Sequence, residues 1–431
     1  MADRFHIVLI PGFGGFDALG QVAYYAGVTR RFQAWKHERP VVLHYFDNFP
    51  TAAVVTRAAR LRSYLAKRIA RGEISERDEV TLVGHSTGGL DIRQLVSDLH
   101  DPANDPVQVD GGSRVRLATI RGRLRRAVFL SVPHWGTNIA DWVRSHPVWR
   151  KALVADAQAV AAGSQVYLLD RLQEQIAGGA ASFIGAEILL AVQDALTEAN
   201  ESFGDSSPLR TADAHEAASE LTLYLRQMAS DFHVIDDLSS QPPDREPRSP
   251  AHFCAVERKR ELTHFENIEV LSYATLGRRP FRFVPGQPAP VWDIADPCTF
   301  REIAFEGKLS AGTDIAYRLC YRACAGGPFR QPALSGKVSW RLIGSTGDPI
   351  ELWDNDGIVN TLSMLWPGVQ NVMVDCDHLD IVGHYELTDA APRGGRKYQS
   401  YDALNSGSRL SAGKFKKVWT EIFDFSAGRG R

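Results

Sequence analysis

The stretch Thr81-Leu-Val-Gly-His-Ser-Thr-Gly-Gly89 decides the fold. The β-branched and apolar residues over 79–84 read as a short buried strand, and Leu90-Asp-Ile-Arg-Gln-Leu95 opens a helix, so Gly-x-Ser-x-Gly stands in a strand–turn–helix setting. A turn this tight holds its central residue in a strained conformation and presses strand against helix. Glycines at 84 and 88 leave room where side chains would collide. The pattern alone arises by chance; the strand before it and the helix after it make Ser86 the candidate of a nucleophile elbow.

Outward from the elbow, apolar runs at 5–10, 41–46 and 127–132 read as further strands. Between the second run and the elbow, residues 51–71 carry Val54, Val55, Ala58, Leu61, Leu65 and Ile69 at helical spacing, with arginines expected on the opposite face. Such a crossover helix joins parallel strands, and continuous apolar runs suit strands buried on both faces. The expected class is α/β: an α/β-hydrolase fold with a central, mostly parallel sheet flanked by helices, in one domain over 1–431. Residues 139–229 are rich in Ala, Leu and Gln with a helical period and predict a cap or lid inserted above the sheet. A Pro-rich stretch, Gln241-Pro-Pro-Asp-Arg-Glu-Pro-Arg-Ser-Pro250, ends it as a loop. Strand character returns at 268–273, residues 278–340 read as a loop-rich insertion, and a strand at 371–374 and a helix at 412–423 close the domain.

A serine hydroxyl attacks only when a base takes its proton, and the tetrahedral intermediate needs donors for its oxyanion. In this fold one donor is the backbone N–H after the nucleophile, here Thr87, and the other comes from a loop after an early strand. Leu9-Ile-Pro-Gly-Phe-Gly-Gly15 is such a loop, with the Phe13 N–H as its donor. Thirteen histidines compete for the base, so position must choose. The chain order is Ser, acid, His, and Asn371-Val-Met-Val-Asp-Cys-Asp-His-Leu379 places His378 just past the last strand. His384 is the runner-up; His134 precedes the acid and His85 lies inside the elbow, where a structural role is expected. Leu352-Trp-Asp-Asn-Asp-Gly-Ile-Val-Asn-Thr361 offers Asp354 and Asp356. Asp356 is the candidate acid, because the Gly-Ile-Val-Asn that follows is the pattern of hydrolase acid loops, and its task is to hold the imidazole tautomer.

Composition narrows the classes. With 44% hydrophobic and 23% charged residues and a net charge of -2, the chain reads as a water-soluble globular protein and not as a nucleic-acid binder. The basic runs at 121–126 and 258–260 read as solvated ends of elements. Five cysteines, an odd count, do not make a disulfide scaffold, and Cys320 and Cys324 lack the further pair that structural zinc requires. Met1-Ala-Asp-Arg4 runs straight into a core strand with no export signal, and the apolar stretch at 181–192 is broken by Glu187 and too short to span a bilayer. No transmembrane segment is expected, and the compartment is left open.

The chain resembles the bacterial triacylglycerol lipases of the thermophilic-bacillus and staphylococcal type. The matching segments are Val8-Leu-Ile-Pro-Gly-Phe-Gly-Gly-Phe16, Gly84-His-Ser-Thr-Gly-Gly89, Ser131-Val-Pro-His-Trp-Gly-Thr137, Leu271-Ser-Tyr-Ala-Thr275, Asn355-Asp-Gly-Ile-Val-Asn-Thr-Leu-Ser-Met364 and Asp377-His-Leu-Asp-Ile-Val-Gly383. The resemblance implies that Asp356 is the triad acid and His378 the base. The family's oxyanion loop usually begins His-Gly; Pro11-Gly12 stands here instead and is expected to leave the Phe13 N–H in place. Family members often bind zinc through a histidine-rich insertion, whereas Arg71-Gly-Glu-Ile-Ser-Glu-Arg-Asp78 holds no histidine, so zinc is not expected. They also bind calcium through an acidic residue two positions after the base and a later Asp-Pro. Asp380 matches the first and is the candidate ligand; His384-Tyr385-Glu386 replaces the second, and no cofactor is expected to be required.

The expected function is that of a lipase or carboxylesterase hydrolysing acylglycerol esters through Ser86, Asp356, His378 and an acyl-enzyme. Its partners would be a lipid or ester substrate and, transiently, a lipid–water interface to which a mobile lid would respond. The alternatives are a short-chain esterase or acyltransferase on the same fold, and a non-catalytic binding module on a hydrolase scaffold. The presence of nucleophile, acid, base and both donor positions disfavours the last.

Overall fold

Phe5–Ile10 is buried throughout, and its side chains alternate between two apolar layers, as a strand's period of two requires. Val8 and Ile10 join Leu61, Leu95 and Phe129 on one side; Ile7 and Leu9 join Trp419, Ile422 and Phe423 on the other. The computed structural model describes residues 3–15, 18–19, 22–145, 233–239, 255–285, 287, 290–293, 314–326, 339–343, 350–385, 404, 406–408 and 410–429. The expected cap at 139–229 lies outside them from 146 onward, as does much of 278–340.

The main sheet has seven strands: β1 (Phe5–Ile10), β2 (Val41–Tyr45), β3 (Glu79–His85), β4 (Leu124–Leu130), β5 (Glu269–Leu276), β6 (Ser339–Ile343) and β7 (Gln370–Asp375). Their order is β6-β7-β5-β4-β3-β1-β2, and every adjacent pair is parallel. The helices that position the site are α1 (Val54–Ala70), α2 (Thr87–Asp98), α3 (Asn138–Ser145), α4 (Ala255–His264), α5 (Asp314–Cys324) and α6 (Ala412–Ser426). In α6, Phe415, Val418, Trp419, Ile422 and Phe423 form a buried stripe at helical spacing, and the Ser411 hydroxyl caps the start by accepting from the Lys414 N–H. This parallel sheet between helical layers, with the Ser86 turn at the carboxyl end of a central strand, is the α/β-hydrolase fold. Among the described residues no helix is long and apolar enough to cross a membrane.

Three expectations shift. Strand β4 runs from Leu124 to Leu130, not 127–132, because Ser131 takes a φ of 50° and ends the pairing. Residues 278–340 were expected as loop, yet α5 and the start of β6 lie there; the stripe of α5 is Tyr317, Cys320, Tyr321 and Cys324. The arginines of α1 are not all outward: Arg57 is fully buried against Asp91. Cys320, Cys324 and Cys376 are buried, and Cys254 and Cys298 lie outside the described residues.

Chain order reverses at β1, which has β2 on one side and β3 on the other. A crevice therefore opens where the loops leaving β1 and β3 diverge, the place where open parallel sheets bind ligands. Strand and helix meet closely there. A Cβ at Gly88 would lie 2.4 Å from the Ile10 carbonyl oxygen, a backbone atom that cannot turn aside. Gly88→Ala is expected to cost about 2 kcal/mol or more, read as a lowered thermal midpoint; an unchanged midpoint would contradict this close packing.

Buried histidines set the acid limit of stability. At the amino end of the sheet the His44 Nε2–H donates to His6 Nδ1 at 2.8 Å, and the His6 Nε2–H donates to Asp78 Oδ2 at 3.2 Å. Burial lowers His6, pushes His44 down to about 3 and His384 down to about 4 from the ordinary 6.5. These rings stay neutral in the folded state while the unfolded chain binds their protons. Their stabilisation is therefore complete above about pH 6.5 and falls as the pH drops toward 4, by up to about 1.4 kcal/mol per pH unit and group. Asp91, Asp98 and Asp237, raised by burial, the last to about 6, oppose the trend, but burial lowers His85 and His264 as well, so three carboxylates stand against five histidines. The urea midpoint should be lower at pH 4.5 than at pH 7; an equal or higher midpoint would refute the sign.

Candidate active site

Ser86 ends the turn between β3 and α2 with φ 53° and ψ -127°, a conformation that non-glycine residues rarely hold. Its N–H donates to the Leu130 carbonyl at 2.9 Å, and its own carbonyl accepts from the Gly89 N–H at 3.0 Å. The loop after β1 comes so near that a Cβ at Gly12 would lie 2.6 Å from the Ser86 Cβ. Thr87 follows as the first residue of α2, where a helix offers its N–H no acceptor of its own.

His378 lies three residues past β7, and its Nδ1–H donates to Asp356 Oδ2 at 2.7 Å. A carboxylate only accepts, so Nδ1 carries the proton and Nε2 is left as the acceptor. The backbone repeats the pairing, with the His378 N–H donating to the Asp356 carbonyl at 3.1 Å. Asp356 is fully buried. Its Oδ1 accepts the N–H groups of Ile358 and Val359 at 3.1 and 2.8 Å, and Oδ2 also accepts the Thr275 hydroxyl at 2.6 Å. That hydroxyl has a single proton, so the Ser131 hydroxyl at 2.9 Å donates to it in turn.

Ser86, His378 and Phe13 line one cavity. The rest of its wall is mainly apolar, from Ile139 on α3, Ile235, Leu238, Ile358 and Val359. The structure thus gathers Ser86, Thr87, Phe13, Asp356 and His378 at one place, and engages the rejected candidates with other partners. Asp354 is bound by Arg279 through two hydrogen bonds of 2.7 and 2.5 Å. His384 donates from Nε2 to the Tyr24 carbonyl at 3.1 Å, and His134 packs between Phe129 and Trp366. His85 is buried behind the elbow, where its Nε2–H donates to the His378 carbonyl at 2.9 Å. Asp380 Oδ2 accepts from the Asp377 N–H at 3.1 Å and from the Ser408 hydroxyl. Among the described residues no group of three or more His, Cys, Asp or Glu is placed to hold a metal ion.

Sequence reasoning did not find Tyr24, Arg57, Ser131 or Thr275. Arg57 left a mark, because it sits on the stripe of Val54, Ala58 and Leu61, and Ser131 and Thr275 stand within matching segments that assign them no role. Tyr24 reaches the elbow only through the tertiary fold: its hydroxyl is 2.6 Å from His85 Nδ1, sixty-one residues away in the chain.

No family model and no curated protein sequence matches the chain. Solved structures similar to it include lipase 1 from Pelosinus fermentans, with 15% identity and a TM-score of 0.41 over 98% of this chain and 99% of that one. The Staphylococcus hyicus lipase is similar with 16% identity and a TM-score of 0.45, over 98% of this chain and 95% of that one. EstA from Clostridium botulinum is similar with 16% identity and a TM-score of 0.38, over 89% of this chain and 84% of that one.

Proposed function

We propose that the protein is a lipase or carboxylesterase that cleaves carboxylic esters, acylglycerols among them, through a covalent acyl-enzyme. One observation carries the reading: a strained, cavity-lining Ser86 shares its cavity with a histidine whose far nitrogen is bound to a buried aspartate. Ser86 Oγ attacks the ester carbonyl while His378 Nε2 takes its proton, and Asp356 stabilises the imidazolium that results. The carbonyl oxygen becomes an oxyanion that accepts from the N–H groups of Phe13 and Thr87, the latter at the positive end of α2. His378 returns the proton to the departing alkoxide. Water then attacks the acyl-enzyme, with His378 as base again, releasing the carboxylic acid and restoring Ser86.

The apolar wall of the cavity suits an acyl chain better than a charged or sugar-like acyl group. A series of chromogenic esters from acetyl to palmitoyl, dissolved and on droplets, tests the reading. The expected result is a kcat/KM that rises with chain length and a higher rate on droplets. Cleavage confined to acetyl and butyryl esters would make it a short-chain esterase, and no cleavage of any ester would leave a binding module.

A further inference from the structure

The Pro11–Gly12 peptide is gripped from two sides and the Gly12–Phe13 peptide from its carbonyl edge. The Pro11 carbonyl accepts from Arg57 Nη2 at 2.9 Å, while the Gly12 N–H donates to the Tyr24 hydroxyl oxygen at 2.9 Å. In a planar trans peptide C=O and N–H point in opposite directions, so a partner on each end fixes the rotation of the plane. The next plane follows the same logic. The Gly12 carbonyl accepts from the Gly15 N–H at 3.1 Å and lies 3.4 Å from both Nη1 and Nη2 of Arg57, so the Phe13 N–H on the opposite edge is turned away from both.

Both grips are anchored to catalytic elements. Arg57 is fully buried, and its Nε and Nη2 donate to Asp91 on α2 at 2.9 to 3.1 Å, while Nη1 donates to the Phe49 carbonyl at 2.9 Å. Asp91 lies one turn after Thr87, so the guanidinium joins the loop of one oxyanion donor to the helix that begins with the other. On the second side the His85 Nε2–H donates to the His378 carbonyl, which makes Nδ1 an acceptor. The Tyr24 proton therefore goes to His85 at 2.6 Å, and its oxygen accepts the Gly12 N–H. An unbroken chain of hydrogen bonds runs from the oxyanion loop to the backbone of the base.

We infer that Tyr24 and Arg57 are positioning residues that clamp the oxyanion loop from opposite sides and aim the Phe13 N–H at the oxygen of the reacting ester. The inference rests on the ester-hydrolase reading above. A buried ion pair is a poor device for stability alone, since apolar residues of similar volume pack as well. What the planar fork of an arginine adds is several donors in a fixed geometry.

The test uses Tyr24→Phe, which keeps the ring and deletes both hydroxyl bonds, with Arg57→Lys beside it, which keeps the charge near Asp91 but loses the fork. Competent sites are counted by burst titration with a p-nitrophenyl alkylphosphonate, which releases one p-nitrophenolate as it phosphonylates the serine, so that unfolded molecules do not enter the rate. Per titrated site, Tyr24→Phe is expected to lower kcat on a soluble short ester by about tenfold to a hundredfold with KM nearly unchanged, because a misaimed donor acts on the transition state. The inhibition constant of an alkyl boronic acid, which forms a tetrahedral anionic adduct, should rise by the same factor as kcat/KM falls. Arg57→Lys should lower kcat/KM and raise the boronate inhibition constant by equal factors. Unchanged per-site kcat and unchanged boronate affinity in Tyr24→Phe would overturn the clamp. A wild-type protein that gives no burst would instead overturn the hydrolase reading.

Discussion

Ser86→Ala is expected to abolish ester cleavage and leave the fold standing. The substitution removes one oxygen from a turn whose strain lies in the backbone, and alanine meets the same φ of 53° as serine does. Every hydrogen bond of the Ser86 backbone, to Leu130 and from Gly89, remains. What disappears is the attacking atom, and with it the acyl-enzyme route, a loss on the order of a millionfold in kcat for a serine hydrolase. Initial rates on a chromogenic ester, beside a thermal melt and a circular dichroism spectrum, check both halves. Residual turnover above roughly 1% of wild type in a folded mutant would remove Ser86 from the reaction, since other groups leave only a far smaller remainder.

The next largest effect belongs to Asp356→Asn, and the hydrogen bonds around it show why. Oδ1 receives the N–H groups of Ile358 and Val359, so an asparagine must put its carbonyl oxygen there. Its NH2 then faces His378 Nδ1 and can only donate. The ring is forced into the tautomer with the proton on Nε2, which cannot accept the serine proton, and kcat should fall by about 10⁴. His378→Ala should be similarly crippling. Asp354→Asn loosens the bonds to Arg279 and should lower stability by about 2 kcal/mol while each folded molecule turns over at a near-normal rate. His384→Ala should likewise cost far less activity than His378→Ala, because its ring is spent on the Tyr24 carbonyl. If Asp354→Asn or His384→Ala proved the more damaging in per-site kcat, the acid or base would have been chosen wrongly.

The elbow was readable because its chemistry is local: a strand, two glycines about a serine and a helix stand side by side in the chain. Strand β1 and helix α6 were legible for the same reason, since continuous burial and a helical stripe mark themselves in sequence. Strand β6 was not. Ser339-Trp-Arg-Leu-Ile343 lies at the sheet edge with Trp340 and Leu342 exposed, so its apolar residues point where a core pattern would put polar ones. The carboxylate that meets His378 was legible from its neighbours Gly357 to Asn360, but the support around it was not. Nothing in Leu271-Ser-Tyr-Ala-Thr275 says that the last hydroxyl meets a carboxylate eighty-one residues later. Arg57 was misread through the convention that arginines face water, which holds until a buried carboxylate such as Asp91 meets the guanidinium. Side chains that hold other side chains in place depend on long-range contact, and no short pattern carries them.

The central claim, that Ser86 is the nucleophile activated by His378, is tested most directly by mapping a covalent adduct. Wild-type protein, Ser86→Ala and His378→Ala are each incubated with a fluorophosphonate, digested and analysed by mass spectrometry. The account predicts one stoichiometric phosphonyl group on the Ser86 peptide of the wild type, none in Ser86→Ala and strongly slowed labelling in His378→Ala. A wild-type Ser86 that stays unmodified, or an adduct that forms as fast without His378, would contradict it.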